Sequence, residues 1–104
     1  MLVISRYPGE TVLIRDGDVT VTVTVLRVTC NPQQKAADVV IGEPGSVRFA
    51  TLSFDKPEPV SRTLQVVLAD VRPDRVRLGF SGDQTTPLWR AEVLIANAVV
   101  SKKL

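Results

Sequence analysis

Ile4 and Arg6 stand two residues apart in the β-prone run Met1-Leu-Val-Ile-Ser-Arg-Tyr7, and Leu88 and Arg90 repeat that arrangement near the other end of the chain. In an extended strand residues i and i+2 share a face, so each pair would set an apolar surface beside a guanidinium. That combination suits a single-stranded RNA loop. Its splayed bases need a platform to stack on and donors for guanine edges and phosphates, while amides and carbonyls at a strand edge can read other positions. A plainer alternative stands beside this reading: Ile4 and Leu88 as core residues, Arg6 and Arg90 as solvated surface arginines. Arg75 and Arg77 flank Val76 and could extend a basic face, a solvated strand face being the simpler outcome. Trp89 points opposite to Leu88 and Arg90, toward burial or the outer rim of such a site.

Other chemistries lack members. The chain has no histidine and one cysteine, Cys30, which leaves no internal disulfide, no common zinc pattern and no nucleophile–histidine pair. Asp16, Asp18 and Asp74 sit where turns form, so the carboxylates have simpler roles than acid–base work and an enzyme is not expected. No cofactor is called for. Nine of the thirteen basic residues are arginine, whose planar fork suits phosphate and guanine edges. Residues 1–28 and 71–104 together hold nine basic and six acidic residues, while 29–70 hold four and five, so the positive charge belongs to the ends. No apolar run approaches the roughly eighteen residues of a membrane span, and no leader pattern opens the sequence, which predicts a cytoplasmic protein.

These residues need strands to position them, and the sequence supplies them. Pro8-Gly9 ends the first run; Glu10 to Arg15 reads as a second strand; Asp16-Gly17-Asp18 reads as a hairpin turn. Val19 to Val28 alternates valine with threonine, one face apolar and the other polar. Further strands are predicted at Asp38 to Gly42, Val47 to Phe54, Thr63 to Val71, Arg75 to Phe80 and Pro87 to Arg90, separated by turns at Asn31–Gln34, Glu43–Ser46 and Arg72–Asp74 and by polar loops. Two prolines at 57 and 59 bar that loop from a central strand. Ala91 to Val100, free of glycine and proline and followed by Lys102 and Lys103, predicts a helix that is apolar around most of its circumference and therefore needs cover on more than one side. Val25-Leu-Arg-Val28 with Val39-Val-Ile-Gly42 faintly echoes Val67-Leu-Ala-Asp-Val71 with Val76-Arg-Leu-Gly79. Their unequal spacing makes two unrelated valine-rich hairpins the simpler explanation.

Met1-Leu-Val-Ile-Ser-Arg6, Gly9-Glu-Thr11 and Asp18-Val-Thr-Val-Thr-Val23, together with Val76-Arg-Leu-Gly79 and Leu88-Trp-Arg-Ala-Glu-Val93, resemble the two halves of the bacterial carbon storage regulators. The likeness takes in roughly sixty of the 104 residues. The resemblance implies a mainly β fold: one domain over 1–104, a small antiparallel sheet in an intertwined homodimer with a C-terminal helix, and a β-rich hairpin segment inserted at approximately 29–70. It further implies a translational repressor that binds GGA-containing loops in messenger leaders, not DNA, and that a small regulatory RNA or a protein antagonist would engage. On that pattern the RNA site comprises Ile4, Ser5, Arg6, Tyr7, Gly82, Leu88, Trp89 and Arg90, with Arg90 at the family's key arginine and Tyr7 where relatives are often basic. A protein-interaction or assembly module on the same scaffold is the alternative, motivated by the inserted segment and the apolar terminal stretch.

Overall fold

The computed structural model describes residues 2–16, 19–61, 64–82, 91–95 and 100–103, and every regular element among them is a β-strand. In chain order these are β1 (Leu2–Arg6), β2 (Thr11–Asp16), β3 (Val19–Cys30), β4 (Lys35–Glu43), β5 (Ser46–Leu52), β6 (Glu58–Pro59), β7 (Leu64–Val71), β8 (Val76–Gly82), β9 (Ala91–Ile95) and β10 (Val100–Lys103). They form two antiparallel sheets, β1-β8-β7-β6 and β10-β9-β2-β3-β4-β5.

Period-two alternation explains why these segments pair and which way they face. Along β3, Val21, Val23 and Val25 are fully buried while Thr22 and Thr24 lie half-buried on the other face. Val39 and Ile41 on β4, Leu64, Val66 and Leu68 on β7, and Val76, Leu78 and Phe80 on β8 repeat the pattern, and all join one cluster drawn from both sheets. Each such side chain contributes about 1.5–3 kcal/mol on leaving water. The prolines and glycines cut the ribbon where expected. Pro8-Gly9 and Pro44-Gly45 place glycine at φ +90° and +77°, the second position of a type II turn, which other residues adopt only under strain. The Gly9 amide then donates to the Val25 carbonyl at 2.6 Å, tying the first turn to β3. Asn31 Oδ1 accepts from the amides of Gln33 (3.0 Å) and Gln34 (2.8 Å), closing the β3–β4 hairpin. Pro59 sits on β6, an edge strand of two residues, where its missing amide is tolerated.

Two hairpins carry a β-bulge. The β3–β4 register shifts between Val25 and Arg27, and the β7–β8 register shifts between Leu68 and Asp70. Each bulge adds an unpaired residue, bends the strand and re-aims the side chains beyond it.

Two expectations change. The helix predicted over Ala91 to Val100 is replaced, in the described part of that stretch, by strands β9 and β10. Val93 and Ile95 stand opposite Ile14 and Val12, and the ladder this supplies to the outer side of β2 overrides a weak helical preference in a segment rich in β-branched residues. Residues 29–70 are not one hairpin segment: β4 and β5 widen the sheet of β3, while β6 and β7 belong to the other sheet. In the smaller sheet β1 pairs with β8, Leu2 opposite Phe80 through Arg6 opposite Val76. The strand expected to end at Arg90 lies outside the described residues. Arg48 links the sheets along one side, pairing from β5 with the Glu58 carboxylate and donating to the Pro59 carbonyl on β6. Among the described residues no helix is long and apolar enough to cross a membrane.

Candidate nucleic-acid interface

On β1 the alternation that puts Ile4 and Arg6 on a shared face also decides which face it is. Ile4 is 6% exposed and belongs to the core. Ile4 therefore packs inside and offers no platform for a base. Arg6 lies beside it with its side chain 11% exposed; its Nε donates to the Ser5 carbonyl at 2.6 Å and lies 3.9 Å from the Glu10 carboxylate. Its Nη1 is buried without a hydrogen-bond partner among the described residues. Val3, Ser5 and Tyr7 point outward instead.

Those outward residues meet a basic row that sequence reasoning left as a solvated face. Ser5 stands opposite Arg77 on β8, and Arg77 stands opposite Asp70 on β7, immediately beyond the second bulge. Ser5, Asp70, Arg72, Arg75 and Arg77 line an open cleft of about 260 Å³. Arg72 and Arg75 are brought together by the turn that joins β7 to β8, each amide donating to the other's carbonyl, at 2.8 and 3.4 Å.

Charge in the cleft is unevenly spoken for. The Asp70 carboxylate accepts from its neighbour's amide, Val71, at 2.9 Å and from Arg72 Nε at 3.1 Å, so Arg72 absorbs its charge. Arg75 Nη1 donates to the Tyr7 hydroxyl at 3.1 Å, and its guanidinium carbon lies 6.0 Å from the ring centroid. That hydrogen bond, aided by the charge the phenol takes on when ionised at high pH and by Asp74, pushes the already high pKa of Arg75 further up. Arg77 has neither an ion pair nor a hydrogen bond from its side chain among the described residues, and it is exposed. Two cations, a serine hydroxyl and an exposed aromatic ring thus face solvent together. A phosphate fits the guanidinium forks and a base fits the ring; both are what a single-stranded nucleic acid presents.

The expected site residues are therefore divided. Ser5 lines the cleft and Tyr7 flanks it through Arg75, Ile4 and Arg6 face the other way, and Gly82 ends β8 at its far end, five residues from Arg77 and roughly 16 Å away along an extended strand. Leu88, Trp89 and Arg90 lie outside the described residues. Arg72, Arg75 and Arg77 are the additions. Their signal in the sequence is three arginines within six residues around a Pro-Asp turn, though only the pairing with β1 places Tyr7 and Ser5 beside them.

No protein-family model matches this chain, and neither a curated protein nor a solved structure matches it.

Proposed function

We propose that this protein is an RNA-binding post-transcriptional regulator, acting in the bacterial cytoplasm on GGA-containing loops in messenger leaders by occupancy and without catalysis. The observation that carries this reading is the cleft on the outer face of β1, β8 and β7, lined by Arg75 and Arg77, with Arg75 set against the Tyr7 ring. Guanine offers two acceptors to an arginine fork, and the phosphates of a loop supply the remaining negative charge. The cleft is made from strands of one chain, so the reading needs no second subunit to complete this face. A homodimer, a competing small RNA and a protein antagonist remain part of the proposal by likeness to the carbon storage regulators alone.

Titration of a GGA-loop hairpin against a hairpin with a scrambled loop tests the reading. The GGA loop should bind more tightly, and Arg77→Ala should weaken it by about 1–3 kcal/mol. Equal, weak binding of both loops, unchanged by the substitution, would sink it.

A second reading, an assembly module that binds protein, is favoured by a different surface. Val47 and Phe49 on β5 are 68% and 76% exposed, with Leu26 nearby also exposed. Recovery of a defined protein lost on Phe49→Ser, with no RNA in the eluate, would support this second reading over the first.

A further inference from the structure

Four strands of the larger sheet, β2-β3-β4-β5, repeat the smaller sheet strand for strand, in the order β6-β7-β8-β1. Reading across the first, Val12 on β2 stands opposite Val23, Val23 opposite Ile41, and Ile41 opposite Arg48. Reading across the second, Glu58 on β6 stands opposite Val66, Val66 opposite Phe80, and Phe80 opposite Leu2. Two residues further along the inner strands the rows are Val25, Val39, Ala50 and Leu68, Leu78, Ile4. The bulge follows at this same row in both sheets, and beyond it come Arg27, Asp38, Thr51 and Asp70, Arg77, Ser5.

Agreement in strand order, direction, inward face and bulge position is more than two unrelated hairpins would share, because a bulge can fall at any row of a ladder. The correspondence also moves the alignment from the one the sequence offered: Val39 matches Leu78, not Val76. The echo is faint in sequence for two reasons. The β3–β4 hairpin runs two residue pairs beyond its counterpart before turning, and the fourth strand of the second set is β1, drawn from the opposite end of the chain.

Both sets open a cleft on the outer face beside the bulge. In the second set it is the basic cleft described above. In the first it measures about 330 Å³ and is lined by Leu26, Asp38, Val39, Phe49, Ala50 and Thr51. The decisive difference lies in the row beyond the bulge, whose charges are reversed. Arg77 has its counterpart in Asp38, whose carboxylate accepts from Thr51 Oγ1 at 2.7 Å and from Arg27 Nε at 3.1 Å. Asp70 has its counterpart in Arg27, which Asp38 holds, whereas Asp70 is held by Arg72 and leaves Arg77 unengaged. An anion entering the first cleft meets a carboxylate at the position where the second offers a guanidinium.

From this we infer that the chain is an internal duplication whose halves carry equivalent clefts, only one of which takes nucleic acid, so that each chain binds a single RNA segment. The inference rests on the RNA-binding reading and goes beyond it, since it fixes the number of sites and names the position that separates them.

The test is titration of the full chain with a short single-stranded RNA containing one GGA, followed by calorimetry and by amide spectra. One RNA should bind per chain, with the amides of Ser5 and Arg77 shifting and those of Asp38 and Thr51 still. The double substitution Arg27→Asp with Asp38→Arg gives the first cleft the charge order of the second. It should add a second RNA per chain, with the amide at position 38 now shifting, while Arg77→Ala in the unswapped protein should lower affinity about tenfold. Two RNAs bound by the unswapped chain would overturn the inference and leave the RNA reading standing. So would a folded double variant, verified by its amide spectrum, that still binds only one. Absence of any RNA binding by the unswapped chain would remove the reading itself and the inference with it.

Discussion

The Arg75 guanidinium donates to the Tyr7 hydroxyl across 68 positions of sequence, joining the end of β1 to the start of β8. Both groups are exposed, so the bond adds little to stability and its importance lies in holding a cation beside a ring. Tyr7→Phe removes the acceptor and keeps the ring, whereas Tyr7→Ala removes both. RNA affinity should fall by a few tenths of a kcal/mol in the first variant and by about 1–3 kcal/mol in the second if a base stacks there. Fluorescence anisotropy with a labelled GGA hairpin reads the difference, and equal losses in the two would place the ring outside the contact.

Salt dependence gives an independent count of the charges engaged. Two arginines, each neutralising one phosphate of a single strand, predict a slope of log affinity against log salt of about −1.4, at about −0.7 for each. In Arg77→Ala the slope should shrink by about 0.7. A slope unaltered by that substitution would show that Arg77 touches no phosphate.

Arg6 occupies the row in which the other sheet has Leu52, opposite Val76 as Leu52 is opposite Ala37. Leu52 is fully buried, while Arg6 keeps a buried Nη1 without a partner among the described residues. An apolar side chain here would remove the desolvation cost of that nitrogen and give up a 3.9 Å contact with Glu10 and the hydrogen bond to the Ser5 carbonyl, both weak beside solvent. Arg6→Leu should therefore raise stability to urea by about 1 kcal/mol. If RNA affinity fell at the same time, Arg6 would be retained for binding at a cost in stability.

Arg48 is the described polar link between the edge strands β5 and β6 of the two sheets. Its side chain and that of Glu58 are each about one-third exposed, so solvent screens the pair. Arg48→Ala should cost about 1 kcal/mol in thermal or chemical denaturation. Hydrogen exchange should quicken chiefly at β6, which has two residues of ladder to hold it.

What the sequence alone makes legible divides along physical lines. The valine–threonine alternation of β3 and the Pro-Gly turns declare themselves, because each is a local preference obeyed locally. Parity along β1 likewise tells that Ile4 and Arg6 share a face, but not whether that face is inside; the answer depends on β8, about seventy positions away. Val93 and Ile95 show the same limit, since pairing with β2 outweighs the helical composition of their segment. The bulges are invisible for a further reason: one extra residue in a ladder changes no residue type, and only the pairing reveals it. Arg75 and Arg77 were visible as basic, yet nothing near them in sequence announces Tyr7.

Because β1 closes on β8, a segment made early must wait for one made much later. Between Arg6 and Gly82 some 76 residues are made, a delay of roughly 4–15 s at bacterial or eukaryotic elongation rates of about 5–20 residues per second. Throughout that interval Leu2 and Ile4 lack their ladder, and once β8 emerges its outer edge stays open to a β1 from any neighbouring chain. Synthesis on crowded polysomes should thus favour strand exchange between nascent copies, whereas dilute refolding of the finished chain should not.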